Sequence, residues 1–193
     1  MTLPNLIKAS CTYDNASQVV GIVCTKPDAS LLGDLRYSYD AAGRRIVSSG
    51  SLARVSLPQA VSPAVYDQAN RLTKLNVQAM TYDANGNLTS DGVRNYGWDA
   101  RNRLASMTGT APGSFRYDAF GRRVGKTING VQTGFLYDGG NPVQELAGTT
   151  PVANLLPGLG IDEYFRLSDA PGPRDLLTDA LGSTVALADA SAL

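Results

Sequence analysis

An aromatic residue followed directly by aspartate recurs seven times in 193 residues, and this constrains the fold more than any other feature. The pairs are Tyr13-Asp14, Tyr39-Asp40, Tyr66-Asp67, Tyr82-Asp83, Trp98-Asp99, Tyr117-Asp118 and Tyr137-Asp138, at spacings of 26, 27, 16, 16, 19 and 20 residues. Gly or Asn stands three residues after the Asp in five consecutive copies, at Gly43, Asn70, Gly86, Asn102 and Gly121. Aspartate at the first position of a type I turn accepts bonds from its own backbone, and Gly or Asn at the fourth tolerates the left-handed conformation that closes a bulged hairpin. The aromatic ends one strand with a large apolar face. Ile46, Leu72, Leu88, Leu104 and Val124 are expected to begin the packing of the return strands. Each unit therefore predicts strand, tight turn and antiparallel return.

Single hairpins are marginal in water, so successive units are expected to join laterally into one sheet of roughly 9 to 14 short strands. Asp91-Gly92 and Asn129-Gly130 read as return turns between units. The first pair, with Ser17 at the fourth turn position, is a weak copy, and the last deviates, with Asn141 there and Pro142 after it. Three segments follow from this reading: 1–35, weakly matching; 36–147, the repeat sheet, with an irregular loop at 48–63 around Pro58 and Pro63; and 148–193. In the third, TPVANLLPGLGIDEYFRL reads as a turn-rich link before a strand, and SDAPGPRD as a loop. RDLLTDALGSTVALAD reads as a hairpin turning at Asp179, in competition with a short helix capped there.

Composition agrees with a turn-dense, all-β chain. Fifteen of the 17 acids are Asp, and Gly reaches 20 and Pro 10. Charge is balanced at 17 basic against 17 acidic residues, which argues against nucleic acid as a partner. The absence of histidine removes Ser-His and Cys-His chemistry, and Cys11 and Cys24 are too few thiols for a zinc site. Whether those two cysteines pair is open. No apolar run is long enough to span a bilayer, and the opening MTLPNLIKAS lacks a secretory signal. A lone chain is expected in the cytoplasm, and a section of a larger exported parent at the cell surface or outside it.

Sharper readings of the same residues compete with the turn role. Aromatics on a sheet beside Asp suggest carbohydrate, and clustered Asp suggests calcium. The local turn role is already sufficient explanation for the Asp, and no EF-hand-like loop occurs. Arg44, Arg45, Arg71, Arg103, Arg122 and Arg123 are interleaved with Asp and are expected to be ion-paired or to snorkel on the sheet. No catalytic, cofactor or metal site is expected.

The units YDAAGRR, YDQANRL, YDANGNL, WDARNRL and YDAFGRR resemble the Rhs, or YD-repeat, family, whose repeats look like YDxxGRL. The matching positions are Tyr39, Asp40, Gly43; Tyr66, Asp67, Asn70; Tyr82, Asp83, Gly86; Trp98, Asp99, Asn102; and Tyr117, Asp118, Gly121. GLGIDE at 158–163 and LLTDALGSTVALAD from Leu176 resemble the end of the Rhs core. The resemblance implies a curved antiparallel sheet, part of a spiral β-shell. In bacterial members such a shell encloses a C-terminal toxin, and in animal relatives it serves adhesion. The implied partners are further shell segments or a toxin domain, with self-association through open sheet edges. The Asp-Pro-x-Gly-Leu-like motif of the family's autoprotease has no counterpart, so processing is not implied. The alternatives are a free-standing carbohydrate or surface-binding module, and a fragment without an independent role.

Overall fold

The computed structural model describes residues 1–54 and 60–189. Among these there are 19 β-strands, more than the 9 to 14 expected, because segments read as loops also pair. A four-stranded sheet runs in chain order through β1 (Lys8–Tyr13), β2 (Val19–Thr25), β3 (Leu31–Tyr39) and β4 (Arg45–Ser49). A three-stranded sheet follows, with β5 (Ala64–Tyr66), β6 (Leu72–Leu75) and β7 (Gln78–Ala79). Between them, Pro58 and its neighbours lie outside the described residues.

The remaining strands form one large antiparallel sheet, also in chain order. They are β8 (Thr81–Tyr82), β9 (Leu88–Ser90), β10 (Arg94–Trp98), β11 (Leu104–Gly109), β12 (Gly113–Tyr117), β13 (Arg123–Ile128) and β14 (Val131–Asp138). They continue with β15 (Asn141–Ala147), β16 (Thr150–Pro157), β17 (Tyr164–Asp169), β18 (Gly172–Thr178) and β19 (Thr184–Ala188). The fold is all-β, and its large sheet is of the kind that a YD-repeat shell requires. No helix among the described residues is long and apolar enough to cross a membrane.

The chain divides into two compact units. The first comprises Met1–Ser56, Tyr137–Gln144 and Val152–Leu193; the second, Leu57–Leu136 and Glu145–Pro151. The first holds the main buried core. Leu3 and Ile7 of the opening segment, Ile22 and Cys24 of β2, and Leu35 and Tyr37 of β3 pack against Leu177 of β18 and Ala188 of β19. Alternation on β3 explains the choice: Leu35 and Tyr37 point inward while Arg36 and Ser38 face solvent. A buried polar clamp fixes this arrangement. Asp175, wholly inaccessible to solvent, accepts Arg166 Nε on Oδ1 (2.5 Å) and the Asn5 N–H on Oδ2 (2.9 Å).

The second unit is thinner: none of its described residues ranks among the buried hydrophobics, and its strands stay half-exposed. Such a strip depends on backbone pairing and turn closure more than on a core.

Several expectations are corrected. Residues 150–157 form β16 and not a link; Pro151 lies beside its first residue, and Pro157 ends it at a register shift, the positions where proline costs a ladder least. SDAPGPRD contracts to a two-residue hairpin, with Asp169 opposite Gly172. Ile46 is exposed on β4 and packs on no core. Tyr137-Asp138 closes no repeat-type turn: Asp138 ends β14, and Gly139 and Gly140 alone connect it to β15. Cys11 and Cys24 are both free; burial, and next the proximity of Cys11, pushes the Cys24 thiol up.

Candidate functional site

The functional unit is the turn, and its parts are local. At Asp40, Oδ1 accepts the N–H groups of Ala42 (3.0 Å) and Arg44 (2.9 Å), and Oδ2 accepts Arg44 Nε (2.7 Å). The backbone closes around it: the Gly43 N–H donates to the Asp40 carbonyl (2.9 Å), and the Asp40 N–H to the Arg44 carbonyl (3.0 Å). Gly43 sits at φ 76°, which an L-residue adopts at a cost. One carboxylate therefore satisfies two backbone donors and holds the guanidinium that follows.

The same geometry recurs at Asp67 with Arg71, Asp99 with Arg103 and Asp118 with Arg122, each with a carboxylate-to-Nε distance of 2.7 Å. Asn70 and Asn102 take φ 58° and 57°, the left-handed position that glycine fills at Gly43, Gly86 and Gly121. At Asp83 the amide of Asn87 replaces the guanidinium (2.9 Å). Each of these carboxyls is held below the usual carboxylate range. The causes are the Arg44 backbone and side chain at Asp40, the Arg71 backbone and side chain at Asp67, the Asn87 side chain and backbone at Asp83, and chiefly the Arg103 backbone at Asp99. At Asp118 burial is the largest influence and pulls upward, but the side-chain and backbone bonds from Arg122 outweigh it.

Two further turns share this pattern. Asp14 closes the first one fully, with Ser17 at φ 62°, although its sequence is a weak copy. Asp179 accepts the N–H groups of Leu181 and Ser183, with Gly182 at φ 82°. Thr178 stands there in place of the aromatic, so the repeat is hidden in the sequence. The turn, not a capped helix, is what Asp179 makes.

A second feature was not anticipated from the sequence. In four of the five full copies the polar end of the aromatic donates to a carbonyl of the preceding repeat, six residues after that repeat's own aromatic. Tyr39 OH reaches the Val19 carbonyl (2.8 Å), Tyr82 OH that of Leu72 (2.7 Å), Trp98 Nε1 that of Leu88 (2.8 Å) and Tyr117 OH that of Leu104 (3.0 Å). This explains why Trp98 replaces tyrosine where phenylalanine would not serve: indole N–H and phenol O–H are interchangeable donors here. The arginine of one turn also lies over the next aromatic, Arg71 over Tyr82 (5.1 Å) and Arg103 over Tyr117 (4.7 Å). The rings of Tyr82 and Tyr117, on which a sugar would stack, are thus half-buried, tethered and covered. The signal available in the sequence was that tyrosine and tryptophan, never phenylalanine, precede the Asp.

Among the described residues, no group of three or more His, Cys, Asp or Glu side chains is placed to hold a metal. The neighbouring acids Asp162 and Glu163, and Asp175 and Asp179, invite a reading as carboxylate pairs, but Asp175, Asp179 and Glu163 each have a structural role. Asp175 is salt-bridged inside the core, Asp179 closes a turn, and Glu163 accepts the Gly160 N–H (3.0 Å).

Comparison with known proteins agrees with this repeat geometry. A family model described as Teneurin YD-shell matches residues 7–146. The chain is 36% identical over 113 residues to the tRNA nuclease WapA of Bacillus subtilis strain 168, covering 54% of this chain and 4% of that protein. It is 32% identical over 154 residues to RhsB of Dickeya dadantii, a probable deoxyribonuclease, covering 66% of this chain and 10% of the relative. Among solved structures, the Tc holotoxin pore of Photorhabdus luminescens superposes with a TM-score of 0.55 at 16% identity, over 93% of this chain and 14% of the other. This chain therefore spans only a small part of the relatives that it matches.

Proposed function

This chain belongs to the Teneurin YD-shell family, and from that premise we propose that it is a section of shell wall that encloses or presents a toxic domain carried by a longer polypeptide. The observation that carries the reading is the ladder of ties between successive repeats. A ring bonded backward to the preceding repeat gives each hairpin a fixed register on its neighbour, which is what a continuous wall needs. The relatives support the cargo. WapA and RhsB are both nuclease-bearing proteins of which the matched part is a small fraction. In this proposal the wall section performs no catalysis itself. Its recurring carboxylates are already committed to backbone N–H groups and to arginine or asparagine side chains.

The test uses the longer polypeptide that contains this section. Limited proteolysis should leave an enclosed cargo domain intact while the wall is sound. A variant carrying Tyr82→Phe, Trp98→Phe and Tyr117→Phe together should open the wall and speed cleavage of the cargo. Equal cleavage rates in both would reject the enclosing role.

A further inference from the structure

The two thiols of the chain are brought together by the first hairpin. In the β1–β2 ladder Ala9 stands opposite Cys24, and Cys11 opposite Ile22. Residues directly opposite, and residues two apart on one strand, share a face of the sheet, so Cys11 and Cys24 are diagonal neighbours on one face. That face turns inward. Ile22 and Cys24 belong to the core of the first unit, while Cys11 stays open to solvent. Both thiols line a cavity of about 670 Å³ whose wall also includes Leu3, Val19 and Leu177, all within the first unit. Met1, which carries a thioether, lies on the same wall. The nearness of Cys11 adds to burial in pushing the Cys24 thiol up, as expected of neighbouring sulfurs.

From this placement we propose that Cys11 and Cys24 form a dithiolate site for a soft monovalent cation of the cuprous class. Diagonal neighbours in an antiparallel pair lie about 7–8 Å apart between Cα atoms. A disulfide usually spans only about 4.4–6.8 Å. A cation between the sulfurs adds two metal–sulfur bonds of about 2.3 Å each and so bridges the wider gap. The donors select the ion. Thiolate and thioether are soft ligands that favour Cu(I), whereas zinc takes a fuller tetrahedral set and calcium and magnesium take oxygen. The one carboxylate among the described lining residues, Asp179, is committed to its own turn, where Oδ1 accepts the Leu181 and Ser183 N–H groups. Binding exchanges each S–H bond for a sulfur–metal bond and sends both protons to solvent, so affinity rises with pH. The site goes beyond the shell role and depends on no cargo.

The test is a competition titration of the full chain, reduced and under anaerobic conditions, against a chromophoric cuprous chelator. A single equivalent of Cu(I) should pass to the protein, with a thiolate-to-copper band in the ultraviolet. Losing a ligand costs more than losing a ligand's supporting partner, so Cys11→Ser should weaken uptake by at least about a hundredfold. Cys11 is exposed, and circular dichroism should show this variant folded like the parent. Cys11→Ser combined with Thr12→Cys keeps two thiols but moves one to the opposite face of β1, over Gly21, and should not restore uptake. Uptake should tighten as pH rises, and excess zinc should not displace the copper. No transfer to the parent would overturn the proposal. So would uptake as tight in Cys11→Ser, full uptake in the displaced pair, uptake indifferent to pH, or displacement by zinc. None of these outcomes would touch the shell assignment, which rests on the family match.

Discussion

Replacing Tyr82 or Tyr117 by phenylalanine removes a single hydroxyl and keeps the ring, so it isolates the tie between repeats. The bonds lost are 2.7 Å and 3.0 Å long and partly shielded from water. A bond of this kind contributes about 1 kcal/mol net, and slightly more where its carbonyl is left without a partner. For a chain of this length a urea slope of about 2–3 kcal/mol per molar turns that loss into a midpoint shift of about 0.3–0.5 M for each variant. Trp98 is the only tryptophan and lies in the same unit, so its emission reports unfolding of the strip directly. Tyr66→Phe is the internal control. Its hydroxyl has no acceptor among the described residues, and its midpoint should match the parent. If Tyr82→Phe and Tyr117→Phe leave the midpoint unmoved, or if Tyr66→Phe moves it as far as they do, the tie does not hold the repeats together.

Three further outcomes follow from the same geometry. Asp91 is held down to about 2, first by the hydroxyl of Tyr96 (2.6 Å) and then by the Arg94 and Val93 N–H groups. Its stabilising contribution is therefore complete above the unfolded value of about 4 and vanishes as pH falls towards 2; carboxyl titration by NMR should find Asp91 the lowest of the turn acids, and Tyr96→Phe should raise it. Asn70 sits at φ 58°, so Asn70→Gly should leave the thermal midpoint close to the parent while Asn70→Ala costs about 1 kcal/mol. Asp175→Ala strips the partner from Arg166 inside the core and frees the Asn5 N–H, with an expected loss of about 3–5 kcal/mol; hydrogen exchange at Asn5 should accelerate markedly, and an unchanged Asn5 amide would refute the clamp.

How much of this molecule can be read from its sequence depends on whether a feature is local. The turns are local: an Asp, its two backbone donors and the left-handed residue all lie within five positions, so Asp40, Asp67, Asp83, Asp99 and Asp118 announce themselves in the chain. The arginine that follows is equally close, yet its grip on the carboxylate depends on a side-chain rotamer that spacing alone does not specify. The tie reaches back 10 to 20 residues, from Trp98 to Leu88 or from Tyr39 to Val19, and leaves in the sequence only a faint trace, the avoidance of phenylalanine. Thr178-Asp179 marks the opposite case, where the turn chemistry survives after the aromatic that advertises it is gone. Least legible is the core of the first unit, because Leu3 and Ile7 meet Leu177 and Ala188 across nearly the whole length of the chain. A periodic sequence encodes its period well and its closure poorly, since closure is made by residues that do not repeat. Tyr66, whose hydroxyl meets no acceptor among the described residues, belongs to that second class. It is detectable only because every other aromatic of the full copies has found its carbonyl, and an exception can be recognised only once the rule it breaks has been measured in three dimensions.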